Sequence, residues 1–141
     1  LTSSNFDFLK RITGVFKKYG SQDYKKIVSY TYDEFGKVKA KKLSPDYNSG
    51  AGIETLTYDY NIRGWLTGIN KDYALSTSSL SQWDHFLGMY MGYDNSNAMF
   101  HNSQYNGNIT GVIWKGQGDN MPRGYNYHYD NVNRFITTMI M

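Results

Sequence analysis

Aromatic and aliphatic residues alternate with polar ones along this chain in short runs that stop at Asp, Asn or Gly. Tyr30-Thr31-Tyr32, Tyr58-Asp59-Tyr60 and Tyr127-His128-Tyr129 each set two rings on one side of an extended strand, because successive side chains of a strand point to opposite faces. Asp33, Asn61 or Asp130 follows, then two variable residues, then Gly36, Gly64 or Asn133, and a strand-forming residue resumes the run. That spacing predicts hairpin corners. The Asp or Asn oxygen accepts a hydrogen bond from a backbone N–H two residues on, and the Gly or Asn supplies the left-handed backbone a tight return needs. The predicted fold class is all-β: tandem antiparallel hairpins with one short helical insertion.

Two further copies are less regular. Tyr105-Asn106-Gly107 is a compressed one, and its Asn-Gly pair predicts a two-residue type I′ turn. Phe6-Asp7 opens the most degenerate one, where Phe8, Leu9, Ile12, Val15, Phe16 and Tyr19 also fit the three-and-four spacing of an amphipathic helix. The repeat decides for strand. Ile12-Thr13-Gly14-Val15 has near-copies in Leu66-Thr67-Gly68-Ile69 and Ile109-Thr110-Gly111-Val112, and a helix would carry Gly14 in its interior at a cost of about 1 kcal/mol. Corners at 7, 33, 61, 106 and 130 are 26, 28, 45 and 24 residues apart, so the third interval holds an insertion, about 71–103. Within it Ser81 to Leu87 reads as a short helical turn, Met89 to Asp94 as another strand, and Tyr93-Asp94 as a sixth, eroded corner.

One hairpin leaves an apolar face wet and is marginal alone, whereas stacked hairpins shield one another as in a solenoid. The Tyr-x-Tyr-Asp-x-x-Gly-x-aliphatic unit resembles the YD repeat of the RHS family over roughly residues 5–138. The resemblance implies a twisted, spiralling sheet, in larger members closing into a shell around a C-terminal, often toxic, cargo domain. It further implies a bacterial protein that is secreted or displayed at the cell surface. The family's self-cleaving Asp-Pro-x-Gly signature does not occur in this sequence, so cleavage and toxicity are not expected of it. Residues 1–141 thus read as a single repeat segment excised from a longer chain, a reading that fits Leu1 as first residue and the lack of a basic-then-apolar leader.

Composition adds little against this. The 14 Tyr and 14 Gly suit strands and corners, and the absence of Cys means that no disulfide staples the fold. The net charge of +3 comes from a chain only 19% charged, which gives no footing for nucleic-acid binding; Lys37, Lys39 and Lys41 alternate onto one solvated strand face. No run approaches the roughly 20 apolar residues of a membrane span. His85, His101 and His128 lack metal-ligand spacing, and Asp84-His85 beside Trp83 has no nucleophile motif near it. The expectation is therefore a non-catalytic protein with no cofactor and no metal. Its partners would be the remainder of the parent chain, its C-terminal domain, and a second copy through strand edges. A rival reading makes it a carbohydrate- or cell-surface-binding module that uses Trp65 and Trp114 as stacking platforms.

Overall fold

The computed structural model describes residues 1–77, 85–94, 100, 103–118 and 121–140. Ten strands follow one another in chain order, each antiparallel to its neighbours: β1 (Thr2–Phe6), β2 (Ile12–Lys17), β3 (Lys25–Tyr32), β4 (Val38–Leu43), β5 (Glu54–Tyr60), β6 (Leu66–Ile69), β7 (Leu87–Gly92), β8 (Gly111–Gly116), β9 (Arg123–Tyr129) and β10 (Phe135–Ile140). A five-residue helix, α1 (Lys71–Leu75), and a 3-10 turn at Asn48–Gly50 complete the described elements. The all-β hairpin expectation holds. Phe8 to Tyr19 is not a helix; it contributes a corner and β2.

The chain divides into two compact units, Leu1–Thr57 and Tyr58–Met141, with the division inside β5. In the first unit β1 to β4 and the start of β5 form a ribbon in which Gly14 and Glu54 are the buried residues described. The second unit holds every buried hydrophobic residue that the structure describes: Tyr73, Ala74, Tyr90, Tyr93, Phe100 and Ile113. There α1 lies so close over β7 that a methyl group on Gly88 would sit 2.6 Å from the Ala74 nitrogen and 2.8 Å from the Asn70 carbonyl oxygen. Phe100, 0% exposed, presses on Gly92 and Gly111, where an added Cβ would come within 2.2 and 2.3 Å of its ring. Lys115 is also 0% exposed; its ammonium donates to the Ser76 carbonyl at 2.8 Å and lies 4.6 Å from the Tyr73 ring centre.

One register runs through the strands. Counting from each corner Asp or Asn, the seventh residue onward faces the second residue before that corner: Gly14 faces Asn5, Ala40 faces Thr31, Gly68 faces Asp59, and Thr137 faces His128. Across each seam between hairpins, that seventh residue, or Gly111 in the longest hairpin, faces the fourth residue before the next corner: Gly14 with Ser29, Ala40 with Thr57, Gly68 with Tyr90, and Gly111 with Asn126. Tyr90 lies four before Asp94, which makes Tyr93-Asp94 the opening of the β7–β8 hairpin. Gly111 likewise faces Gly92, two residues before Asp94.

Asn106 makes the turn hydrogen bond expected of it: its Oδ1 accepts from the backbone N–H of Asn108, two residues on, at 3.0 Å. By register the β7–β8 connection opens at Tyr93-Asp94, and Gly107, with φ +98°, stands four residues before Gly111, as Gly64 stands four before Gly68. A type I′ turn needs positive φ at both central residues, and here Gly107 has it while Asn106 does not. The extra chain falls in two places, between β6 and β7 and inside the β7–β8 connection. A helix of this extra chain is α1 at Lys71–Leu75, and the turn expected at Ser81 to Leu87 falls largely on residues that are not described. Leu87 belongs to β7, His85 and Phe86 are not helical, and residues 81–84 lie outside the described residues.

Candidate functional site

Four corners are built alike, atom for atom. Oδ1 of Asp7 accepts from the backbone N–H of Leu9 and Arg11, both at 2.9 Å. Asp33 Oδ1 accepts from Phe35 and Lys37 at 3.0 and 2.8 Å, Asn61 Oδ1 from Arg63 and Trp65 at 3.0 Å each, and Asp130 Oδ1 from Val132 and Arg134 at 3.0 and 2.8 Å. In each, the N–H of the third residue on bonds back to the corner carbonyl at 2.8–3.1 Å, and that third residue is left-handed: Lys10 (φ +64°), Gly36 (+81°), Gly64 (+78°) and Asn133 (+64°). With the one-residue register slip beside each corner, this is a turn closed by a bulge, the form a three-residue hairpin loop takes.

The Tyr before a corner reaches into the preceding hairpin. Tyr32 Oη donates to the Ile12 carbonyl at 2.7 Å, Tyr93 Oη to Leu66 at 3.0 Å, and Tyr129 Oη to Ile109 at 2.9 Å. Each acceptor opens an aliphatic-Thr-Gly triplet on the previous returning strand, so one hydroxyl ties each of these pairs of hairpins together. Arg11 serves both neighbours. Its Nε pairs with Asp7 Oδ2 at 2.7 Å while its guanidinium carbon lies 4.5 Å from the Tyr32 ring centre. Arg134 holds Asp130 in the same way at 2.6 Å.

These contacts set the acidity of the corners. At Asp7 burial works to raise the pKa, but hydrogen bonds from the Arg11 backbone and side chain outweigh it and hold the carboxyl below its usual range. At Asp130 the backbone and side chain of Arg134 lower it against a smaller opposing effect of burial. Burial raises the Tyr93 hydroxyl; at Tyr129 burial and the neighbouring Tyr127 both raise it.

The other motif residues fall where the register sends them. Tyr30 faces Lys41, Tyr58 faces Ile69, Tyr60 faces Leu66 and Tyr127 faces Thr138. Tyr105 and Asn106 lie on the β7–β8 connection: the Tyr105 carbonyl accepts from Arg63, and Asn106 Nδ2 donates to Asn133 Oδ1 at 2.6 Å. Both Trp residues proposed for glycan contact are half-buried and engaged with the protein's own groups. Trp65 is 5.2 Å from the Tyr93 ring with Arg63 over it at 5.1 Å, and Trp114 is 5.2 Å from the Tyr125 ring. His85 meets the Tyr73 ring edge-on at 5.6 Å. His128 alternates away from Tyr127 and Tyr129 as expected but is half-buried. His101, Trp83 and Asp84 lie outside the described residues. Among the described residues no group of three or more His, Cys, Asp or Glu could hold a metal, and no helix is long and apolar enough to cross a membrane.

A cleft of about 460 Å³ in the first unit was not anticipated from sequence. Lys17, Lys25 and Lys26 line it with Asp23 and the exposed rings of Tyr19 and Tyr47. Its trace in the sequence is Lys17-Lys18-Tyr19 followed by Tyr24-Lys25-Lys26, a pair of mirror-image runs across the β2–β3 connection. The Lys17 ammonium lies 4.8 Å from the Tyr19 ring centre, and the cleft presents cations and ring faces to solvent without a His.

The fold and its corners define a protein of tandem β-hairpins joined edge to edge. No protein-family model matches this chain, and no curated protein matches it.

Proposed function

We propose that the chain is a non-catalytic wall segment of an exported bacterial YD-repeat protein of RHS type, part of a shell or scaffold that encloses or displays a C-terminal cargo or toxin domain. One observation carries this reading: a single corner geometry and a single seam register recur through the chain, with Tyr hydroxyls tying successive hairpins. A repeated contact that spends its polar groups on its own neighbours suits a wall. Export and the cargo rest on the resemblance of the corner motif alone.

The test is Tyr32→Phe combined with Tyr129→Phe. Each change removes one seam hydrogen bond, worth about 1 kcal/mol, and should lower the urea midpoint while speeding amide exchange on both sides of the seam it touches. In the parent protein the pair should expose the downstream domain to protease. Unchanged midpoint and exchange would sink the wall reading.

A second reading, saccharide binding, draws support from the exposed Tyr19 and Tyr47 rings of the first-unit cleft and from the half-buried Trp114–Tyr125 pair. It requires saccharide-dependent quenching of Trp fluorescence that Trp114→Phe abolishes, or cleft binding that Tyr47→Ala abolishes. Failure of both removes it.

A further inference from the structure

The first unit carries the positive charge of the chain. Residues 1–57 hold ten Lys and Arg against six Asp and Glu, whereas residues 58–141 hold five against six. Four of the ten, Lys17, Lys18, Lys25 and Lys26, flank the β2–β3 connection, whose one carboxylate is Asp23. Lys17 stands directly opposite Lys25 across the two strands. Opposed residues of an antiparallel pair share a face, and like charges there repel each other. Among the described residues neither ammonium has a carboxylate within ion-pair distance.

Both lysines line the cleft of about 460 Å³. Its walls are two interior connections of this unit, tied together where the Ser44 N–H donates to the Ile27 carbonyl at 2.8 Å. A Gln22 N–H to Tyr19 carbonyl bond at 3.1 Å closes the turn on one side, and a Tyr47 N–H to Ser44 carbonyl bond at 2.9 Å closes it on the other. The cleft is therefore held in shape by the backbone. Tyr19, 61% exposed, and Tyr47, 64% exposed, give it two rings, and Asp23 and Asp46 line it as well. Lys26 is engaged elsewhere: it faces Phe16, and its ammonium lies 5.3 Å from that ring centre.

We infer that this cleft binds a phosphate monoester carried on a planar ring, of the nucleoside monophosphate class. Charge decides for phosphate. A monoester carries a charge of about −1.5 to −2 near neutral pH and meets both opposed ammoniums at once, whereas a carboxylate or a sulfate ester neutralises one. Tyr19 and Tyr47 supply ring faces on which a base stacks. Asp23 and Asp46 accept hydrogen bonds from sugar hydroxyls, and they repel a long run of negative charge, which sets this ligand apart from a nucleic-acid strand or a sulfated polymer. Binding cancels the repulsion between Lys17 and Lys25, so the two lysines weaken the free protein and strengthen the complex. This inference is independent of the wall reading, and it gives the cleft a different occupant from the saccharide reading.

Isothermal titration calorimetry of the full chain with adenosine 5′-monophosphate tests it. Adenosine and the phosphate methyl ester of the nucleotide, a monoanion, should each bind about tenfold more weakly or worse; ribose 5-phosphate, which has no base to stack, should lose about tenfold. Lys25→Gln should weaken nucleotide binding about tenfold, and Lys25→Arg, which keeps the charge, should retain it. Without nucleotide, Lys25→Gln should raise the urea midpoint, because it ends the opposition of like charges. Circular dichroism of each variant separates misfolding from lost binding. No heat with the nucleotide at millimolar concentration, equal affinity for the methyl ester, or a folded Lys25→Gln chain that binds as well as the parent would overturn the inference. A neutral saccharide that binds here, is lost with Tyr47→Ala and is not displaced by the nucleotide would give the cleft to the saccharide reading instead.

Discussion

At the residue scale, the corners show how much one position decides. Lys10 occupies the left-handed site that Gly36, Gly64 and Asn133 fill elsewhere, and a side chain with Cβ pays about 1–2 kcal/mol there. Lys10→Gly should therefore raise unfolding stability by about 1 kcal/mol, and Gly36→Ala should lower it by about as much, both read by urea denaturation. The corner carboxylates set the acid limit. Asp7 and Asp130 titrate below the ordinary 3.8 in the folded chain, so the stability they contribute is present above that value and is lost as pH falls through their lower folded values. Asp7→Asn with Asp130→Asn keeps the corner acceptor, as Asn61 does, and removes the negative charges that pair with Arg11 and Arg134. The double variant should unfold with a flatter dependence on pH below about 4 than the parent chain; an unchanged acid limb would refute the assignment.

At the element scale, the corners were legible in the sequence because an Asx turn is closed by hydrogen bonds within five residues, so Asp33 and Gly36 announce it without outside help. The strand at Ile12 was legible for another reason. Its triplet recurs, and the register shows that the recurring Gly marks the fourth position after the left-handed residue of a connection, where Gly, Ala or Thr stands each time. The Asn106 turn was legible in the same way, since its Oδ1 accepts from the Asn108 N–H, but its type I′ form was not borne out, and only the distant pairing of Gly68 with Tyr90 and of Gly111 with Gly92 shows that the hairpin opens at Asp94. The helix α1 is too short to show a period; what positions it is the space above Gly88, together with a hydrogen bond from Asn70 Nδ2 to the Leu87 carbonyl at 2.9 Å. Phe100 packs against Tyr90 and fills the hollow over Gly92 and Gly111. Phe100→Ala should cost about 3–5 kcal/mol in the second unit, measured by thermal or urea unfolding.

At the scale of the whole molecule, the two units differ in what holds them. The first relies on strand ladders and half-buried side chains; the second adds Tyr90, Phe100 and Ile113 beneath α1 and the β7–β8 connection. Amides of β2 and β3 should accordingly exchange faster than those of β7 and β8, and limited proteolysis should cut the first unit sooner. Equal protection would mean that ladder bonding alone sets stability here. The cleft lay beyond sequence reasoning because its walls come from two connections, Tyr19 to Asp23 and Ser44 to Tyr47, which no local pattern places together.

The β7–β8 connection runs about ten residues longer than the other corners, yet the pairings on either side keep the common alignment, from Gly68 with Tyr90 to Gly111 with Asn126. Length at a tip is thus uncoupled from the ladder beneath it. A foreign peptide grafted between Asp94 and Gly107, with Phe100 kept as its anchor, would be carried outward while every strand stays in place, so such a protein can diversify what it presents without rebuilding what supports it.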